Sequence, residues 1–186
     1  MAPLEGVRVL DLSRLLPGPM CTWDLRGMGA EVIKIEDPVM GDYLRYAPPH
    51  GQDGVGAWFS ALNAGKLSVA LDLKCELGQK AMAALLATAD VLVESFRPGV
   101  MARLGLDPVM LRQRHPDLVI CSISGYGQTG PMATWPGHDL GYMGMAGGLA
   151  LGAREGGVPA LPGVQVADVA GGGLTAAMRI CAALFS

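Results

Sequence analysis

Val7-Arg8-Val9-Leu10-Asp11-Leu12 is a β-branched, apolar run with a polar residue near its end, and together with the next twenty-odd residues it decides the fold. Pro17 and Pro19 punctuate a turn, Met20 to Met28 carries helical spacing, and Gly29 is a natural helix stop. Glu31-Val32-Ile33-Lys34-Ile35 then reads as a second strand. The first forty residues are thus a βαβ unit. Working outward, Asp37 to Ala57 is broken by Pro38, Gly41, Pro48, Pro49, Gly51, Gly54 and Gly56 and reads as a long surface loop. Lys66 to Leu73 alternates as a strand, Gly78 to Thr88 is an alanine-rich helix, and Val91-Leu92-Val93 is a buried strand. Pro108 to Arg114 is a short helix, Leu118 to Ser124 a further strand, and Leu174 to Phe185 an apolar helix. Strands alternating with helices at these lengths predict an α/β fold, a mainly parallel open sheet flanked by helices.

Composition agrees with one globular domain. The chain has 186 residues, 51% hydrophobic and 17% charged, which excludes disorder. Glycine is 27 of 186 with no collagen-like period, so the excess marks tight turns and close backbone approaches. A net charge of −3 argues against nucleic acid as a partner. Cys21, Cys75, Cys121 and Cys181 lie far apart without metal-binding spacing and are expected to be buried thiols of a reducing, cytoplasmic protein. No metal site is expected. The longest uncharged stretch, Leu118 to Gly137, is full of Gly, Ser, Pro and Thr, so no membrane span is expected there. The final apolar helix ends without a polar cap, which reads as a chain cut inside a larger protein and prone to self-association.

Gly125, Gly127 and Gly130 satisfy G-x-G-x-x-G after a predicted strand, but Pro131, Trp135 and Pro136 forbid the helix that a dinucleotide site needs. Among the histidines, His50 in the Pro/Gly loop and His115 at a helix end read as structural. His138 stands in Pro136-Gly137-His138-Asp139, before the apolar segment Leu140 to Leu149. Either Asp139 is an ordinary helix N-cap with His138 incidental, or an imidazole sits beside free backbone N–H groups able to hold an oxyanion. Asp168 interrupts the apolar run Val164 to Ala170, directly before Gly171-Gly172-Gly173. It reads equally as an N-cap or as a carboxylate of raised pKa serving as base or nucleophile. The glycines would let a bulky ligand approach the backbone.

These stretches resemble the class III CoA-transferase and α-methylacyl-CoA racemase superfamily, of CaiB/BaiF type. The resemblance runs through Leu4 to Leu12, Pro17-Gly18-Pro19, Gly29 to Glu36, Leu71-Asp72-Leu73-Lys74, Ala89 to Glu94, Phe96-Arg97-Pro98-Gly99 and Ser124 to Pro131. It implies a Rossmann-like domain within an interlocked homodimer, residues 1–186 being the N-terminal portion of the large CoA-binding domain. The small domain and the returning C-terminal segment are expected to be absent. Gly137-His138-Asp139 resembles the racemase motif, and Asp168 matches an aspartate used in both branches. Leu16, where some transferases have glutamine, leans the same way. The implied activity is epimerisation of a 2-methylacyl-CoA through an enolate. His138 and Asp168 would be the two bases and the Asp139 amide the oxyanion donor. The transferase alternative makes Asp168 a nucleophile, and a second alternative is a truncated CoA-binding paralogue without turnover. Coenzyme A, part of the substrate and not a separate cofactor, is expected on Lys74, Arg97 and Arg103 with its adenine on Leu71. Asp37 departs from an arginine found in many members and weakens that expectation, unless Arg14 or Arg45 compensates. Met143, Gly144, Met145 and Gly147 are either part of an acyl surface or plain core.

Overall fold

The computed structural model describes residues 1–153 and 157–186. Five strands, β1 (Arg8–Asp11), β2 (Glu31–Glu36), β3 (Leu67–Ala70), β4 (Val91–Glu94) and β5 (Val119–Ser122), form one sheet in the order β3-β2-β1-β4-β5. Every pairing is parallel, with Leu10 opposite Ile33 on one side and Leu92 on the other. The architecture is α/β, as the alternation of strands and helices predicts.

Both faces of the sheet are covered, which is why its central strands read as nearly continuous apolar runs. On one face Val9, Val32, Val91 and Val93 pack with Cys21 and Leu25 of α1 (Pro17–Gly27) and with Ala176, Ala177 and Ile180 of the last helix. On the other, Leu10, Ile33, Ile35 and Leu92 meet Met82 and Leu86 of α3 (Glu76–Leu86), Met101 of α4 (Val100–Arg103) and Leu111 of α5 (Pro108–Arg114).

Several boundaries differ from expectation for identifiable reasons. Helix α1 starts at Pro17 because proline, having no N–H to leave unsatisfied, is tolerated in a first turn. The Pro/Gly loop contains a 3₁₀ turn (Tyr43–Tyr46) capped by Asp42, and it leads into the short α2 (Ala57–Leu62). Cys75 is exposed, contrary to expectation. It occupies the N-cap of α3, where its sulfur accepts from the Gly78 N–H, and its thiol donates to the Asp72 carbonyl.

After β5 the chain is irregular until α6 (Asp139–Met145) and α7 (Gly148–Leu151). The last helical run begins earlier than its apolar pattern implied, with a π-helical segment (Ala167–Leu174) that passes into α8 (Thr175–Leu184). By length and mean hydropathy, 1.2, Ala167–Leu184 would suffice to cross a membrane. Here Ala176, Ala177 and Ile180 hold it against the sheet, while Leu174, Met178 and Phe185 remain exposed.

Candidate active site

Two groups of residues lie at the ends of these elements. The first surrounds the point where strand order reverses, between β1 and β4. In such sheets the crevice outside the strand C-termini is the place for a ligand. A cleft of about 340 Å³ opens there. Leu12 and Arg14 follow β1, Asp37 follows β2, Leu71 and Lys74 follow β3, and Phe96 follows β4, all lining it. Of the expected coenzyme contacts, Leu71 and Lys74 thus line the cleft. Arg97 and Arg103 do not, although they flank Phe96, Val100 and Leu104, which do.

Arg14 is the cation that the cleft holds most firmly. Its Nη1 donates to the Tyr43 hydroxyl at 3.2 Å, and the guanidinium stands 5.4 Å from the Tyr43 ring centre and 5.6 Å from that of Phe96. Arg45 is committed elsewhere, forked onto Glu36 at 2.8 and 2.6 Å and stacked 3.8 Å from the Phe59 centroid. Asp37 folds back on its own turn and accepts the Met40 and Val39 N–H groups at 2.9 Å each. Those bonds lower its pKa, with Arg14 and Lys74 adding to the effect, so it is a standing negative charge in the cleft.

Beneath the cleft is a buried ionic cluster that sequence reasoning missed. Asp11 is wholly buried and accepts from Thr22 Oγ1 at 2.6 Å, Lys66 Nζ at 3.1 Å and the Ser13 hydroxyl. Burial alone would raise its pKa. Lys34, Lys66, Ser13 and Thr22 outweigh that and lower it to about 2. Lys34 reaches Asp42 at 3.1 Å and donates to the Ser13 carbonyl at 3.0 Å. Asp42 in turn accepts the Leu15 N–H at 3.1 Å, with Leu15 left-handed at φ 62. The cluster therefore clamps the Ser13–Leu16 turn that presents Arg14. The one available signal was a charged residue inside each of two apolar strands.

The second group joins residues distant in sequence. Asp139 is 3% exposed, and its Oδ1 accepts the Asp168 N–H at 2.9 Å. The carboxylate of Asp139 thus caps the first turn of the helical run that carries Asp168, rather than its own helix. His138 occupies the N-cap position of α6 with an exposed side chain that makes no capping bond. Asp168 is not an N-cap either, since Val166 holds that place. Its pKa is raised by burial and then by Asp139, with His138 opposing. His138, Asp139 and Asp168 therefore do form one locus.

π-Helical segments are rare and often mark functional sites. Here Gly172 and Gly173 serve packing, not ligand approach. A Cβ on Gly172 would stand 2.7 Å from Pro17 Cβ, and one on Gly173 2.9 Å from Met20 Cγ. Only Gly171 faces open space. This contact sets the Asp168 turn against the start of α1, directly after the Ser13–Leu16 turn that walls the cleft. Met145 is 60% exposed, so it is not plain core. Among the described residues no metal-binding cluster of His, Cys, Asp and Glu converges.

The family model described as CoA-transferase family III matches residues 4–186. The chain belongs to that family. It is 42% identical over 173 residues to the succinate–glutarate CoA-transferase of Agrobacterium fabrum, which covers 90% of this chain and 43% of that protein. It is 38% identical over 182 residues to human alpha-methylacyl-CoA racemase, covering 98% of this chain and 44% of that one. A CaiB/BaiF family crystal structure from Brucella suis superposes with a TM-score of 0.92 at 38% identity, over 99% of this chain and 49% of its own. The chain spans less than half the length of these curated relatives. Family III members with both transferase and racemase names thus bracket it.

Proposed function

We propose that the protein acts on acyl-CoA thioesters and inverts the α-carbon of a 2-methylacyl-CoA by proton transfer through an enolate. The observation that carries the reading is the hydrogen bond from the Asp168 N–H to Asp139, which brings Asp168 to the His138–Asp139 turn, where burial holds its proton more tightly than usual. In one direction the imidazole removes the α-proton. Charge moves to the thioester oxygen, and the protonated Asp168 returns a proton to the opposite face. The reverse direction exchanges the two roles, so protons balance. The Asp139 amide, in a first turn and without a carbonyl partner inside its helix, would donate to the enolate oxygen. Arg14 and Lys74 suit the nucleotide phosphates and Leu71 the adenine. The reading takes residues 1–186 as the N-terminal portion of a CoA-binding domain in a cytosolic homodimer. The free thiols and the exposed Leu174, Met178 and Phe185 support it.

The transferase names among the relatives favour a second reading. There the Asp168 carboxylate attacks the thioester carbonyl, the CoA thiolate leaves, and a mixed anhydride forms. The thiolate then attacks the aspartyl carbonyl, giving an aspartyl-CoA thioester and releasing the first acid, and an acceptor carboxylate runs the two steps in reverse, taking the CoA and freeing Asp168. His138 has no required role in that sequence.

NMR of a 2-methylacyl-CoA in D₂O, with a free carboxylic acid present, separates the two. Deuterium at the α-carbon without a new thioester is the expected result. A new thioester without exchange would replace racemisation with transfer. Neither signal would leave CoA binding as this chain's only role.

A further inference from the structure

The phenol ring of Tyr142, on the first turns of α6, is inserted between two backbone segments. One is Gly125, just after β5, and the other is Gly137, the residue before His138. A Cβ at either glycine would overlap the ring, and neither glycine has positive φ, so each is required for space and not for conformation. The ring is also edge-on to Tyr126, with centroids 5.2 Å apart. Its hydroxyl donates to the Gly137 carbonyl at 2.8 Å. The backbone N–H of the same residue donates to the His138 carbonyl at 3.2 Å. One residue therefore holds the peptide units on both sides of His138, the Gly137 carbonyl by its side chain and the His138 carbonyl by its backbone.

We infer that Tyr142 is a positioning residue. It fixes the Gly137–His138 turn, and so sets where the His138 imidazole stands relative to Asp168, whose N–H is bonded to the next residue, Asp139. As a catalytic contribution this rests on the proton-transfer reading above. As a statement of geometry it does not. Tyr142 itself needs no contact with substrate, because its hydroxyl is already spent on Gly137. The groups bearing on Asp168 are Asp139, His138 and Tyr142, and only His138 opposes its raised pKa. Loss of His138 from its station should therefore be visible as a change in Asp168.

The test is an NMR titration of the Asp168 side-chain carboxyl in four proteins: wild type, Tyr142→Phe, His138→Gln and the double variant. Tyr142→Phe keeps the ring and removes the one hydrogen bond. It should move the Asp168 titration to higher pH, in the same direction as His138→Gln. On the His138→Gln background it should move nothing further. An unchanged titration in Tyr142→Phe would overturn the inference, and so would a shift that persists undiminished once His138 is gone. Should Tyr142→Phe fail to fold, the wild type decides: NOEs from the His138 ring protons to the Asp168 β-protons are expected, and their absence would overturn the inference. The readout requires no turnover. A positive titration with no deuterium exchange would sink the proposed reaction and leave the positioning role intact. The converse would do the opposite.

Discussion

Asp168 and Asp11 are both carboxylates inside this fold, and their surroundings drive them in opposite directions. Asp11 falls from its ordinary 3.8 to about 2 because two lysines and two hydroxyls outweigh its burial. Its contribution to stability is fully present above pH 3.8 and is lost as pH falls through 2. Replacing it with asparagine leaves Lys66 buried without its ion-pair partner, while Lys34 keeps Asp42. Urea unfolding at pH 7 should show a loss of about 3–5 kcal/mol, the cost typical of breaking a buried pair. Asp168 carries the reverse sign. Its folded pKa is raised, so the folded chain binds the proton more tightly than the unfolded chain and stability falls as pH rises past the ordinary carboxylate value. Asp168→Asn should therefore raise Tm at pH 7 and leave it nearly unchanged at pH 3, while removing α-proton exchange by roughly 10²-fold or more. A Tm that drops at neutral pH would mean the carboxylate is structural. His138→Ala, assayed in the same D₂O experiment, should abolish exchange and spare any thioester transfer.

Among the elements, the Ala167–Leu174 π segment shows most directly how packing overrules local preference. Three successive glycines after an aspartate read as a break, since each costs a helix roughly 1 kcal/mol relative to alanine. Expectation accordingly began the helix at Leu174. The chain is helical there because Gly172 and Gly173 let it lie against Pro17 and Met20 of α1, an approach that any side chain would block. That information resides in α1, some 150 residues earlier, and in no local pattern. Gly173→Ala should cost about 1–3 kcal/mol in chemical denaturation, as overpacking does, and should disturb Asp168 with it. Gly171→Ala, with nothing near its added methyl, should be neutral or slightly stabilising. Equal gains at both positions would show that helix propensity decides here and the contact with α1 does not.

At the scale of the molecule, the sheet was legible because parallel strands buried on both faces leave continuous apolar runs such as Val91-Leu92-Val93. The cleft was legible only in part. Leu71 and Lys74 belong to a contiguous motif, whereas Arg14 qualifies through Tyr43, Phe96 and a turn clamped by Asp42, partners that only the closed fold assembles. The same closure decides between the two candidate substitutes for a cation near Asp37. Glu36 takes Arg45, so Arg14 is the one that remains at the cleft. Four strand ends thus converge on a site where Arg14 and Lys74 face Asp37 and Asp72, Glu36 being paired with Arg45. A polyanionic nucleotide entering it gains from the two cations and loses to the two unpaired acids. Isothermal titration with CoA should therefore show Arg14→Gln weakening binding by roughly tenfold, the worth of one charge-assisted hydrogen bond of about 1.5 kcal/mol. Asp37→Asn should tighten it. Both effects should shrink as salt is raised, because the cleft is open to solvent and its charges are screened. Arg45→Gln should weaken CoA binding less than Arg14→Gln and lower Tm instead, through the loss of its fork on Glu36. If Arg14→Gln binds CoA as well as the parent does, the nucleotide does not occupy this cleft.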